Sequence, residues 1–172
     1  MKIILYMAIS VNGIIARKNG AEDFLSHENW EKFESLAKEH GNFVVGRKTY
    51  EAVKSWGENY NFDTITNVEK VVISQNPSLT LNETYTVARS PKAAIEKLSQ
   101  KGFKNILVTG GATINSAFAK ENLLDEIILN VEPVMIGQGV PLFSEENFDL
   151  TVELISSVKN NGLLTLHYRV IK

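Results

Sequence analysis

Two hydrophobic periods take turns along this chain. Lys2–Ser10 (KIILYMAIS) is a nearly unbroken apolar run with β-branched residues at its start, and predicts a buried strand. Residues 11–25 carry the turn dipeptides Asn12-Gly13 and Asn19-Gly20 and predict a loop. Beyond Ser26, a residue suited to cap a helix, Trp30, Phe33, Ala37 and His40 recur at three- and four-residue steps, and Gly41 supplies a stop. Asn42–Gly46 (NFVVG) predicts a second short strand, residues 47–55 a second helix, and residues 59–67 a polar loop. Strands follow at 69–75, ended by Asn76-Pro77, and at 84–88. Ser90-Pro91 places a cap and then proline at the first helical position, opening a helix to Lys101 that Gly102 ends.

Residues 105–109 (NILVT) predict a strand, Gly110-Gly111 a turn, and the following segment a helix to about Glu121. Residues 125–132 (DEIILNVE) are a further strand, and residues 134–143 (VMIGQGVPLF) a glycine-bearing loop. Two last runs, 150–159 and 163–172, flank Asn160-Asn161-Gly162 and predict a β-hairpin. In the second run Leu164, Leu166, Tyr168 and Val170 alternate with Thr165, His167 and Arg169, the period of a half-buried strand.

Strands joined by helices require right-handed crossovers, hence a largely parallel sheet with helices on both faces. The fold class expected is therefore α/β, a three-layer α-β-α domain over residues 1–172, made mixed by the C-terminal antiparallel hairpin. Ligands of such sheets bind at the carboxyl ends of strands. That rule selects the loops after Ser10, Val45 and Thr109.

Composition narrows the function classes. The chain has 172 residues, 44% hydrophobic and 22% charged, ordinary globular values. Lys and Arg number 18 against 20 Asp and Glu, a net charge of -2, so no nucleic-acid partner is expected. There is no cysteine, which excludes thiolate catalysis, disulfides and thiolate metal sites and fits a cytoplasmic protein. No run approaches the roughly 18 apolar residues of a membrane span, so no membrane partner is expected. Met1 to Ser10 has the length of a strand, and no small-residue cleavage site follows it to make it a signal peptide. His27, His40 and His167 share no ligand spacing, and no G-x-S-x-G elbow occurs, so neither a metal nor a serine nucleophile is expected.

The three selected loops hold the unusual residues. Gly46-Arg47-Lys48-Thr49 opens a helix directly after a strand. Cations oppose the positive end of a helix dipole, so their presence there points to an anionic ligand, with free N–H groups and the Thr49 hydroxyl to hold it. The stretch from Gly41 resembles a Walker A loop, but Arg47 stands where lysine is needed and Phe43-Val44-Val45 is strand-like, so a P-loop is rejected. Thr109-Gly110-Gly111-Ala112-Thr113 is a second strand-to-helix junction where glycines admit a ligand. It does not match G-x-G-x-x-G. Ser10 to Ala16 offers backbone groups and apolar side chains suited to a flat ring, or to core packing alone. Glu28, Glu31, Glu34 and Glu39 form the solvated face of the first helix, with Glu31 placed to reach a pocket edge.

Taken in order, SVNGIIA, NFVVGRKTYE, VVISQNP, ILVTGGATI and VEPVMIGQGVPLF resemble the dihydrofolate-reductase-like superfamily over nearly the whole chain. The last segment is similar to the reductase domain at the C-terminus of the bifunctional riboflavin-biosynthesis deaminase–reductase and its stand-alone relatives. The deaminase half has no counterpart here, since there are no zinc-binding cysteines. The resemblance implies a mixed eight-stranded sheet, NADPH as cofactor, and hydride transfer to a pterin-like or pyrimidine-like small molecule. By position it implies that Gly46, Arg47, Lys48 and Thr49 hold the adenine-side phosphates, Arg47 taking the 2′-phosphate. Ile73, Ser74 and Gln75 would flank the adenosine ribose. Thr109, Gly110, Gly111, Ala112 and Thr113 would pack on the pyrophosphate, and Ala8, Ile15 and Ala16 would line the nicotinamide. Asn12, Trp30 and Asn130 would face the substrate, and a homodimer is implied by the riboflavin-type relatives.

The chain departs from the family pattern at two points. Asn12 stands where relatives carry Asp in S-x-D-G, and an amide is neither acid nor base. Trp30 occupies the position of the helix carboxylate of dihydrofolate reductases, with Glu31 one residue on, and Asp23-Phe24-Leu25 replaces their P-W signature. Asn12 and Glu31 are the only catalytic candidates this leaves. Four readings stay open: a general reductase, a reductase of an aminouracil ribosyl phosphate with Arg17 and Lys18 as its phosphate cations, a dihydrofolate reductase, and a nucleotide-binding protein without turnover.

Overall fold

Six strands run parallel at the centre of the computed structural model, which describes residues 1–57 and 60–172. They are β1 (Lys2–Ser10), β3 (Asn42–Gly46), β4 (Glu69–Ile73), β5 (Tyr85–Ala88), β6 (Asn105–Val108) and β7 (Glu126–Glu132). The hairpin β9 (Thr151–Asn160) and β10 (Leu163–Ile171) adds to β7 with β10 antiparallel to it, so the eight-stranded order is β5-β4-β3-β6-β1-β7-β10-β9. The expected mixed sheet is what forms.

Residue parity in β1 sorts the two faces. Ile3, Leu5, Met7 and Ile9 point to one side and meet α3 (Pro91–Gln100) and α4 (Ala112–Lys120) through Leu98 and Phe118. Ile4 and Tyr6 point to the other and meet α1 (His27–His40) and α2 (Arg47–Lys54) through Phe33, Ala37, Tyr50 and Val53. The second layer is aromatic: the Phe33 and Phe43 rings lie 5.3 Å apart and those of Phe43 and Phe62 4.9 Å apart. Such pairs add to area burial by roughly 0.5–1.5 kcal/mol each.

The sequence reading needs correction in both long loops. Residues 11–25 contain β2 (Ile14–Arg17), and residues 134–143 contain β8 (Gly139–Pro141); the two pair antiparallel as a separate sheet. At four and three residues they are too short to show alternation, and each is a strand only because of the other. Gly139 makes the pairing possible, since a Cβ there would stand 2.4 Å from the Ala16 carbonyl oxygen. The polar stretch at 59–67 includes a 3-10 turn at Phe62–Thr64, while its first residue, 59, lies outside the described residues. Ser74, Gln75 and Thr109 lie just past their strands rather than in them.

Ser26 stands at the N-cap of α1 as expected, but its hydroxyl makes no capping bond. The cap comes from across the sheet. Glu132, at the end of β7 and only 3% exposed, accepts from the Ser26 backbone N–H at 2.6 Å and from the Asn29 side-chain amide. A carboxylate at a helix N-terminus is favoured by the dipole. Removing it leaves two buried donors unpaired, at about 1–3 kcal/mol each. Glu132→Ala is expected to lower unfolding free energy by about 2–4 kcal/mol, measured by urea denaturation with the slope unchanged.

Candidate functional site

The glycines at the ends of β3 and β6 bring two helix starts together. The Gly46 N–H donates to the Gly110 carbonyl at 2.7 Å, and the Thr109 N–H to the Val44 carbonyl at 2.9 Å. A Cβ on Gly46 would lie 2.6 Å from Ile114 Cγ1, and one on Gly111 would lie 2.9 Å from Thr49 Oγ1. Gly110 has φ +83° and is joined to Gly111 by a cis peptide bond. Any side chain at these positions would fill the junction.

Both helices start on glycine caps, Gly46 for α2 and Gly111 for α4, with no side-chain capping bond and no acidic residue in the first turn. By contrast α3 is closed in the usual way, its Ser90 hydroxyl accepting from the Ala93 N–H at 3.1 Å and Pro91 removing a donor. The two open N-termini adjoin at the strand ends, where Thr49 on the first turn of α2 stands 2.9 Å from the place a Gly111 Cβ would take. That seat fits the phosphates of a dinucleotide. Lys48 is exposed and makes no ion pair among the described residues. Arg47 Nη1 lies 2.8 Å from both carboxylate oxygens of Glu51, one turn along its own helix. An incoming phosphate therefore competes with Glu51 for that guanidinium.

Beside the seat opens a cleft of about 760 Å³. Ala8, Ile15, Trp30, Thr49, Thr109 and Gly111 line it, six of the positions that the resemblance assigned to cofactor or substrate. Its far wall is aromatic, with Trp30 5.6 Å from the Phe33 ring and 5.9 Å from that of Phe62. Ala16 points the other way from Ile15, into the core, and Ala112 and Ile73 are core residues as well. Ser74 and Gln75 follow β4 and do not line the cleft. The Ser74 Oγ accepts from the Asn76 N–H at 3.1 Å, and Gln75 donates to the Arg89 carbonyl. Thr113 is exposed on the first turn of α4.

Both catalytic candidates lie off the cleft wall. Asn12 ties two loops together: its Nδ2 donates to the Ile136 carbonyl at 2.8 Å, and its Oδ1 accepts from the Ile136 N–H at 3.0 Å and the Ser10 hydroxyl at 2.9 Å. Glu31 is exposed and sits 3.4 Å from His27 Nε2. Asn130 lies one layer behind the wall. It is 2% exposed, accepts from the Thr165 hydroxyl, and donates to the Tyr6 hydroxyl at 3.3 Å. Tyr6 itself lines the cleft and donates to the Asn29 carbonyl at 3.0 Å. Burial first, then the charge of Glu132, raises its phenol above the ordinary range.

Two cleft-lining residues, Tyr6 and Glu22, and Arg89 beside Ser74 escape a reading of the sequence. Tyr6 sits inside an apolar strand run, and only the fold reveals where its hydroxyl ends. Arg89 closes β5 and spans to the Ser74 and Asn76 carbonyls at 2.8 Å each; its place at a strand end was the available signal. Glu22, in the segment between β2 and α1, lines the cleft, and burial pushes its carboxyl up to about 7. Because the folded state holds that proton more tightly than the unfolded chain, stability is greatest below pH 4.5 on this account and declines as pH rises toward 7. Glu22→Gln is expected to abolish that decline and to add about 3 kcal/mol at pH 8, read from urea midpoints across pH 5–8.

Known proteins resemble this chain in sequence and fold. The model of the family described as the RibD C-terminal domain matches residues 1–162. YwjB of Bacillus subtilis, an uncharacterised protein, is 30% identical over 171 residues, covering 97% of each chain. A Shewanella sp. PV-4 protein, provisionally described as a riboflavin biosynthesis protein, superposes with a TM-score of 0.81 at 27% identity, covering 100% of both chains. RibD of Acinetobacter baumannii superposes with a TM-score of 0.82 at 21% identity, over 99% of this chain and 58% of its own.

Proposed function

The chain belongs to the RibD C-terminal domain family, a reductase-like family, and on that premise we propose that it is an NADPH-dependent reductase acting on a pterin-like or pyrimidine-like ring. One observation carries the reading: two uncapped helix N-termini meet at glycine-only contacts and open onto an apolar, aromatic-walled cleft. The seat suits phosphates, and the cleft suits two stacked flat rings.

When bound, the reduced nicotinamide supplies the hydride. The protein's share is placement and exclusion of water. Gly46, Gly110 and Gly111 would let the phosphates approach the backbone, Thr49 would offer its hydroxyl beside Gly111, and Lys48, without an ion pair among the described residues, would offer a cation. Ala8 and Ile15, which line the cleft, would form the wall against the nicotinamide, and Trp30 would face the substrate ring.

The same cleft wall separates the alternatives. Among the described residues it carries Glu22 and Asp23 but no lysine or arginine. Arg17 and Lys18 lie off that wall, and Arg17 is held 2.5 Å from Asp23, so a ribosyl phosphate would have to compete with Asp23 for its guanidinium. The helix carboxylate of a dihydrofolate reductase has no counterpart in the cleft, since Glu31 faces solvent. An uncharged heteroaromatic substrate fits best.

Fluorescence titration with NADPH and NADH tests the cofactor. NADPH is expected to bind with clear preference, and Arg47→Ala to weaken it by about tenfold or more while leaving NADH nearly unchanged, the loss of one charge-assisted contact. Glu51→Gln is expected to tighten NADPH by freeing Arg47. Binding of neither nucleotide overturns the reading. Binding without oxidation of NADPH by any pterin or aminouracil favours a nucleotide-binding protein without turnover.

We also place a homodimer contact on the open edge of the sheet. Every residue of β9 is exposed, including Val152, Leu154, Ile155 and Val158, and an uncovered apolar edge strand is a template for a second copy. Sedimentation is expected to give a dimer that Leu154→Glu dissociates to monomer.

A further inference from the structure

The reaction proposed above needs a proton as well as a hydride, and the positions that supply one by resemblance hold an amide and an indole. The cleft wall nevertheless contains a carboxyl group. Glu22 sits on a short turn that is pinned on both sides. Before it, the Arg17 N–H donates to the Ala21 carbonyl at 2.7 Å and the Gly20 N–H to the Arg17 carbonyl at 2.8 Å; after it, the Leu25 N–H donates to the Glu22 carbonyl at 3.1 Å. The Arg17 side chain is spent on Asp23, and Glu22 has no hydrogen-bond or ionic partner for its carboxyl among the described residues. The group shares the wall with Ile15, assigned to the nicotinamide, with Leu25, and with Trp30, assigned to the substrate.

The other titratable groups on the wall are poorly suited. Tyr6 is buried beside Glu132, and both effects hold its proton on. Asp23 is exposed, and its hydrogen bond to Arg17 keeps its carboxyl below the usual range. The Tyr60 hydroxyl is engaged with His27 Nδ1 at 3.1 Å. Glu22 alone combines a cleft position with a carboxyl that keeps its proton near neutrality, pushed up to about 7 by burial.

Resting on the reductase reading, we propose that the Glu22 carboxyl is the proton donor to the substrate ring. The substrate is then a ring with a C=N bond. Its carbon gains the hydride from the reduced nicotinamide, and its nitrogen gains the proton from Glu22 as the π bond breaks. The products are a CH–NH bond, oxidised nicotinamide and the Glu22 carboxylate. That carboxylate regains a proton from water, which reaches it past the exposed Asn19 and Gly20.

The test uses the whole chain, with carboxyl-labelled glutamate, NADPH and 6-methyl-7,8-dihydropterin as probes. Carbon-13 NMR of the labelled protein, with and without NADPH, is expected to show one glutamate titrating near pH 7 that is missing in Glu22→Gln. A Glu22 midpoint in the ordinary carboxylate range overturns the proposal, and this readout decides whether or not the dihydropterin is turned over. Where NADPH oxidation is seen, Glu22→Gln is expected to lower it by about 10²- to 10⁴-fold and to remove its decline above pH 7, with NADPH affinity within twofold. Glu22→Asp restores part of the rate. Wild-type rate and pH profile in Glu22→Gln overturn the proposal. Failure of the wild type to bind NADPH overturns the reductase reading instead, since the titration of Glu22 needs no cofactor.

Discussion

The close approach of two strand ends governs this molecule. At Gly46 and Gly110 the backbones of β3 and β6 meet through one hydrogen bond, with no room for a Cβ at either position. That contact starts α2 and α4 from neighbouring points on opposite faces of the sheet. It leaves both helix ends open, and it places the cleft between them and β1. A side chain at Gly46 would press on Ile114 and one at Gly110 on Met7, so the first turn of α4 and the β1 wall of the cleft would have to give. Close-packed interiors transmit such a displacement rather than absorb it.

A second arrangement ties the cleft floor to the rest of the sheet. Thr165 on β10 bonds Asn130 on β7, Asn130 bonds Tyr6 on β1, Tyr6 bonds Asn29 on α1, and Asn29 bonds Glu132 back on β7. Each buried polar side chain in this chain of bonds has its partner, so the floor is fixed without an uncompensated charge except the one that α1 itself stabilises. The hydroxyl of Tyr6 is thereby held at one place on the cleft wall. Strands and helices supply Tyr6, Ala8, Ile15, Trp30 and Phe33 to the cleft wall, and the turn bearing Glu22 and the segment of Tyr60 and Phe62 complete it.

Much of this was legible in the residues. The long strands announce themselves by β-branched runs, and the helices by their three- and four-residue spacing and their glycine and serine boundaries. The glycine junctions at Gly46 and Gly110-Gly111 were visible because they follow strands and open helices. Other features depend on partners remote in sequence. Strands β2 and β8 exist through each other, more than 120 residues apart. Asn12 looked like an altered catalytic position and proves to be a brace, because Ile136 comes to it only in the fold. Glu22 and Asp23 are indistinguishable in sequence. One is drawn to Arg17 and solvent, and the other is turned into the cleft. The sequence cannot show which neighbour takes the guanidinium.

The open helix ends have a consequence for the protein's life in a cell. A helix that starts on glycine has no side chain to accept from its first N–H groups, so α2 and α4 each leave donors there for an anion to satisfy. A bound anion satisfies both at once, and whatever binds only the folded state raises its stability in proportion to the logarithm of the ligand's concentration. Marginal stability sets how often a chain opens to proteases. The abundance of this protein is therefore expected to follow the supply of its own ligand, falling when that ligand is scarce without any change in its synthesis.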